Sequence, residues 1–215
     1  MAGSIAIPID TASPPRHSAW VRVTHWLTAI AFLALLVSGV EILLSHPRFY
    51  WGETGNVNTP PLFKLPLPSS RDTVSTGYGY VLPDQNGWSR YLHFQSAWLA
   101  VGTGLLYAAY GFLSGHFRGD LFREGASAYN PIQRIVYLGV VFVLFPMVIW
   151  TGLAMSPAFG SAMPAAVTIL GGQQSARTIH FFVSALLALF LIVHVAMVIR
   201  AGFVSRVRAM ITGRG

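Results

Sequence analysis

The sequence predicts an all-α integral membrane protein: a four-helix bundle with both termini cytoplasmic and a long periplasmic loop between helices one and two. Three observations carry this expectation. Of 215 residues, 53% are hydrophobic and 10% are charged, where a water-soluble domain carries about a quarter charged residues. Mean hydropathy is +0.56. Residues 23–40, 91–115, 135–176 and 178–199 contain no Asp, Glu, Lys or Arg, and each run can hold the roughly 20 apolar residues that cross a bilayer core. Finally, the arginines and lysines divide unequally between the two ends of those helices.

Taken in order, residues 1–19 read as a cytoplasmic tail. The stretch up to Pro15 lacks a basic start and a separate apolar core, so it is a poor cleavable signal and helix one is expected to stay in the mature chain. Helix one is expected over residues 20–44, helix two over 88–114, helix three over 131–155 and helix four over 175–201. Pro146 is expected to kink helix three. Residues 20–201 form one transmembrane domain, 46–88 its periplasmic loop and 202–215 a basic cytoplasmic tail. No repeat of 20–50 residues is visible.

Orientation follows from basic residues. Four spans put both termini and the loop between helices two and three on one side. That side holds nine arginines: Arg16, Arg22, Arg118, Arg123, Arg134, Arg200, Arg206, Arg208 and Arg214. The other side holds five basic residues, Arg48, Lys64, Arg71, Arg90 and Arg177. The richer side is expected to face the cytoplasm. The net charge of +7 is then a topology signal. It does not indicate nucleic-acid binding, since no basic aromatic surface lies outside the membrane ends.

There is no cysteine. That excludes disulfides, thiolate-held iron–sulfur clusters and covalent haem attachment, so any redox centre needs histidine, methionine or another non-thiolate ligand. Histidine is costly inside a membrane and asks for a partner or a task. His25 lies near the cytoplasmic end of helix one and His93 near the outer end of helix two. On helix four, His180 is outer and His194 inner. By depth alone His25 pairs with His194, and His93 with His180. The fourteen residues between the last two span about 21 Å and fall roughly 40° short of four turns, so both rings leave nearly one face. A lone metal ion needs ligands at one depth. Two stacked haems, each held by two histidines, suit this spacing.

Arg22, Arg90 and Arg177 each precede one of these histidines by three residues, and residues three apart share a helix face. An arginine one turn nearer the interface suits a haem propionate; an ordinary interfacial arginine is the plain alternative. Gly39, Gly102, Gly104, Gly111, Gly139 and Gly152 allow close approach of a macrocycle or of a neighbouring helix. His17, His46 and His116 read as solvated interfacial residues, with His116 near enough to touch an inner propionate or a quinone headgroup.

The segments Arg22-Val-Thr-His25-Trp26-Leu27, Tyr91-Leu92-His93-Phe94, Tyr129-Asn130-Pro131-Ile132-Gln133-Arg134 and Thr151-Gly152-Leu153, with the His180 to His194 spacing, resemble one family. It is the di-haem cytochrome b subunits of nickel–iron hydrogenases, formate dehydrogenases and thiosulfate-reductase-type complexes. The resemblance covers residues 20–201. It implies two b haems, ligated by His25 with His194 and by His93 with His180, and an anchor that exchanges electrons between membrane quinone and a periplasmic oxidoreductase subunit. It also implies a quinone pocket beside the cytoplasmic haem, at Asn130, with Gln133 and Tyr137 one and two turns on. An Asn-Pro helix start explains Asn130 equally.

The chain departs from the hydrogenase and formate-dehydrogenase members in the about 43 residues from His46 to Trp88, with Tyr50-Trp51-Gly52-Glu53-Thr54-Gly55-Asn56, a proline-rich stretch at 59–68 and Gly77-Tyr78-Gly79-Tyr80. A loop of this length is usually functional or disordered. It reads as a docking surface over the outer haem, with disorder as the competing reading. This loop and Gly152-Leu153-Ala154-Met155-Ser156-Pro157 resemble members associated with molybdopterin oxidoreductases. The leading expectation is therefore an electron-transfer subunit. The alternatives are a free-standing small cytochrome b oxidoreductase acting on a diffusible substrate at the outer haem, and a haem-free anchor or transporter.

Overall fold

The computed structural model describes residues 18–56, 58–67, 85–115 and 131–213. Among the described residues, four helical segments are long and apolar enough to cross a membrane: Ala19–Ser45, Gly87–Leu113, Ile135–Ala154 and Gln173–Arg200. They make the expected all-α bundle.

Helix α1 (Ala19–Ser45) opens at Ser18, whose Oγ accepts the Val21 N–H at 3.3 Å. It ends before His46-Pro47, because a residue preceding proline is pushed out of the α region. Helix α2 (Gln85–Leu113) starts three residues earlier than expected. The third span is composite: α3 (Pro131–Gly139), a wide π-helical turn (Val140–Leu144) and α4 (Phe145–Ala154). Pro146 explains the wide turn. Proline has no N–H and crowds the carbonyl four residues back, and opening the preceding turn relieves that. The Phe145 N–H reaches back five residues to the Val140 carbonyl. The expected loop beyond it contains two short helices, α5 (Pro157–Ala162) and α6 (Pro164–Thr168). Helix α7 (Gln173–Arg200) is the fourth span.

Close backbone packing falls within two pairs, α1 along α2 and α4 along α7. Val140, Val183 and Leu187 are buried between α4 and α7 with Leu144, Met147, Val148 and Phe190 around them, and Phe32 reaches over from α1. A second cluster, Ala154, Val167, Leu170 and Ala176, joins α4 and α7 to α6. Ile30, Leu105, Phe112 and Ile192 stay exposed, as lipid-facing side chains should.

One end of α7 is held by the loop after α1. Strands β1 (Arg48–Phe49) and β2 (Phe63–Lys64) pair antiparallel, Arg48 opposite Lys64 and Phe49 opposite Phe63. The stretch between them caps α7. Glu53 Oε2 accepts the Gln173 N–H at 3.2 Å, and the Gly52 carbonyl accepts those of Gln174 at 2.9 Å and Ser175 at 3.2 Å. These are the N–H groups a helix start leaves unpaired, and a carboxylate there also meets the positive end of the helix dipole. Ser175 Oγ accepts the Gly52 N–H at 2.7 Å, Thr178 Oγ1 donates to the Tyr50 carbonyl at 2.7 Å, and Arg177 Nη2 donates to the His46 carbonyl at 2.5 Å. The Phe49 ring packs on Phe181 with centroids 4.6 Å apart. The described part of the expected loop is therefore built onto α7. Residues 57 and 68–84 lie outside the described residues.

At the opposite end, the expected basic tail contains a helix, α8 (Phe203–Thr212), entered through Gly202 at φ +95°. It returns to α1: Arg22 Nη1 donates to the Ile211 carbonyl at 3.0 Å, and Trp26 Nε1 to that of Met210 at 3.1 Å. Helix α8 thus ties the end of α7 to the start of α1. Tyr110 Oη donates to Ser18 Oγ at 3.1 Å, bringing the end of α2 to the same place. We call this the terminal end and the opposite one the loop end.

Three outcomes follow. Gly172 has φ +106°, and a Cβ there would lie 2.7 Å from the Gly52 carbonyl carbon and oxygen. Gly172→Ala should therefore lower stability by about 1–3 kcal/mol, read as a lower Tm in detergent. Gly102→Ala, with open space around it, should leave Tm unchanged. Trp26→Phe removes one of the bonds that join α8 to α1 and should speed tryptic cleavage at Arg206 and Arg208.

Candidate functional site: two facing imidazole pairs

Each of the four membrane histidines is half-buried and faces another from the opposite helix pair. His25 of α1 and His194 of α7 have ring centres 6.3 Å apart, with planes at 50°. His93 of α2 and His180 of α7 are also 6.3 Å apart, with planes at 63°. Helix α7 contributes one ring to each pair, and its fourteen-residue spacing sets the pairs about 21 Å apart along its axis. The His25–His194 pair lies toward the terminal end and the His93–His180 pair toward the loop end.

The separation is chemically specific. Two imidazoles binding one ion through a nitrogen each, at a metal–nitrogen distance of about 2.0–2.1 Å and with roughly 1.1 Å from nitrogen to ring centre, have centres about 6.3 Å apart. A hydrogen-bonded or stacked pair would sit closer. Among the described residues no three His, Cys, Asp or Glu side chains converge on one point. Each pair brings two imidazoles together and would need further donors from elsewhere, the kind of donor set that a porphyrin would complete. The residues present fit a haem at each pair.

The rings of the loop-end pair have a shared support that the sequence reading missed. Ser38 Oγ on α1 lies 3.1 Å from His93 Nδ1, and Thr151 Oγ1 on α4 lies 3.0 Å from His180 Nδ1. Both hydroxyl residues are fully buried. The glycine following each one lies against the same ring: a Cβ on Gly39 would be 3.7 Å from His93 Cε1, and one on Gly152 would be 3.5 Å from His180 Cε1. The available signal was a hydroxyl residue followed by glycine, Ser38-Gly39 and Thr151-Gly152, once in each helix that faces a loop-end histidine. At the terminal end, Phe190 stacks on His194 with centroids 5.7 Å apart, and Trp26 meets His25 edge-on at 5.4 Å.

The three arginines have different surroundings. Arg22 donates to α8, as described, and its buried Nε has no hydrogen-bond partner among the described residues. Arg177 donates to the His46 carbonyl and lies over the Phe49 ring at 5.3 Å. Arg90 is exposed. Asn130, His17 and His116 lie outside the described residues, and for Gln133 only the backbone is described. Tyr137 on α3 hydrogen-bonds Tyr107 on α2, hydroxyl to hydroxyl, at 2.5 Å. Tyr107 was also missed, although it follows His93 by the same fourteen residues that separate the α7 histidines, which puts it at the depth of His194. His46, expected to be solvated, is half-buried and ends α1.

A family model described as prokaryotic cytochrome b561 matches residues 16–213. A chain of Azospira oryzae that carries the provisional name protein-methionine-sulfoxide reductase subunit YedZ1 is 29% identical over 207 residues, covering 85% of this chain and 89% of that one. With the family model matching nearly its whole length, four membrane-crossing helices and histidine pairs suited to haem, the chain belongs to the prokaryotic cytochrome b561 family, as a multi-pass bacterial inner-membrane cytochrome b that binds haem b and transports electrons.

Proposed function

We propose that the chain holds two b haems, one between His25 and His194 and one between His93 and His180. Through them it links the quinone pool to a periplasmic oxidoreductase subunit. The observation that carries the reading is the equal 6.3 Å separation of two imidazole pairs, each contributed across the divide between helix pairs. The arginine distribution supports placing the terminal end, with His25 and His194, at the cytoplasm. The loop end is then periplasmic, with residues 46–88 as the periplasmic loop, and residues 1–19 and 202–215 flank the transmembrane domain on the cytoplasmic side.

Bound at these positions, b haem supplies reversible one-electron exchange. The chain's own residues set its conditions. The four histidines fix two centres at two depths, and the rigid α7 holds both in register. Arg22, Arg90 and Arg177, each within one turn of a proposed ligand, would supply cations to the carboxylates of a bound haem. Near the terminal end, quinone reduction also needs protons, and the Tyr107–Tyr137 hydroxyl pair supplies exchangeable ones at that depth. Asn130 and Gln133, at the start of the third span, are the proposed contacts to quinone oxygens.

Partner identity rests on two supports. The Azospira relative is named as a reductase subunit. In addition, the described part of the periplasmic loop presents Trp51 and Leu62 outward beside the start of α7, a surface suited to a docked oxidoreductase of the molybdopterin-containing class.

Purified protein should contain two haems per chain by pyridine haemochrome assay. His93→Ala or His180→Ala should remove one haem and leave the other reducible by quinol. His25→Ala or His194→Ala should remove the other haem, together with quinol-driven reduction. Two fully reducible haems in any of these four variants would show the pairing to be wrong.

A further inference from the structure

The support beneath the loop-end pair determines more than ring position. Each hydroxyl has one proton, and its backbone contacts use it. Ser38 Oγ lies 2.7 Å from the Ala34 carbonyl and 3.2 Å from that of Leu35; Thr151 Oγ1 lies 2.8 Å from the Met147 carbonyl and 3.1 Å from that of Val148. A carbonyl can only accept, and each hydroxyl sits closer to its backbone carbonyl than to the ring nitrogen, so we assign the hydroxyl proton to the backbone. Such back-bonding by Ser and Thr is common in helices. Its consequence here is less common: the contact to the histidine must run from ring to hydroxyl. Nδ1 of His93 and of His180 therefore carries the proton, and Nε2 of each keeps its lone pair.

We propose that Ser38 and Thr151 are positioning residues for the loop-end haem. They lock His93 and His180 in the tautomer whose Nε2 can bind iron and, by accepting the Nδ1–H bond, make both rings stronger electron donors. The inference rests on His93 and His180 ligating one haem, as proposed above. An acceptor placed behind a ligating ring in this way fixes the ring's orientation and raises its basicity. A more basic ligand favours ferric over ferrous iron, so the hydroxyls lower the midpoint potential of this centre. The same device stands under both rings, on different helices, each time with glycine at the next position beside the ring. Each ring also has a backbone carbonyl as partner, Leu35 for His93 and Val148 for His180, which likewise requires a ring N–H, and full burial of both hydroxyl residues keeps water from replacing their share of the bond. Among the described residues His194 has no corresponding hydroxyl; Phe190 occupies its flank.

The test is a potentiometric titration of both haems, with low-spin ferric EPR, on the full-length protein. Ser38→Ala and Thr151→Val should each shift the loop-end midpoint upward, the double variant further. The loop-end EPR signal should change while the terminal-end haem keeps its parental midpoint and signal. Ser38→Thr and Thr151→Ser, which retain the hydroxyl, should restore parental values. A double variant with two haems and an unshifted midpoint and EPR signal overturns the proposal. If the Ala and Val variants lose the haem, retention of two haems by the hydroxyl-keeping variants supports it, and loss in those too overturns it. Failure of the underlying ligand assignment looks different: His93→Ala would then keep both haems.

Discussion

An imidazole within a bilayer must face something that compensates for its removal from water, and here the compensation is arranged across helix pairs. No pair of packed helices contains a complete site. Helix α1 packs on α2, and α4 on α7, yet His25 and His93 from the first pair each meet a ring of α7 from the second. The rest of the architecture keeps α7 at a fixed height and rotation opposite its neighbours. A slip of one residue along its axis would move a ring by about 1.5 Å and turn it by about 100°, enough to misalign both pairs together.

Both ends of α7 are accordingly anchored. At the loop end, Gly52 and Glu53 take up its first N–H groups, and the side chains of Ser175, Arg177 and Thr178 return bonds to the same loop. At the terminal end, α8 doubles back and is fastened to α1 by Arg22 and Trp26. These contacts use hydrogen bonds because a helix in lipid gains little from burying apolar surface against another helix. They lie near the helix ends, where backbone groups would otherwise lack partners.

The spans were legible because charge cannot be hidden in hydrocarbon, and a run such as residues 178–199 has no other reading. The depth of each histidine followed from counting along those runs. What escaped was local or depended on contacts between distant segments. Residues 203–212 read as a basic tail because Arg206 and Arg208 dominate a short stretch, and only docking against Arg22 and Trp26 reveals the helix. The segment after Pro47 offered turn residues without a long strand pattern, since its order comes from capping α7. Ser38 and Thr151 are unremarkable in a membrane helix until the facing ring is in place. Tyr107 carried a usable signal, the fourteen-residue interval, that had been applied to α7 alone.

The wide turn at Val140–Leu144 acts on the third span as a phase shift. Tyr137 and Thr151 are also fourteen residues apart, and in an unbroken helix they would point within roughly 40° of each other. One extra residue in the turn changes their relative direction by about 100°, parting them by about 140°. A single span can therefore address two different neighbours: Tyr137 meets α2 through Tyr107, while Thr151 meets α7 through His180. Proline at 146 thus does more than bend the rod. It lets one helix carry two azimuths, so that both halves of the molecule are held by the same segment.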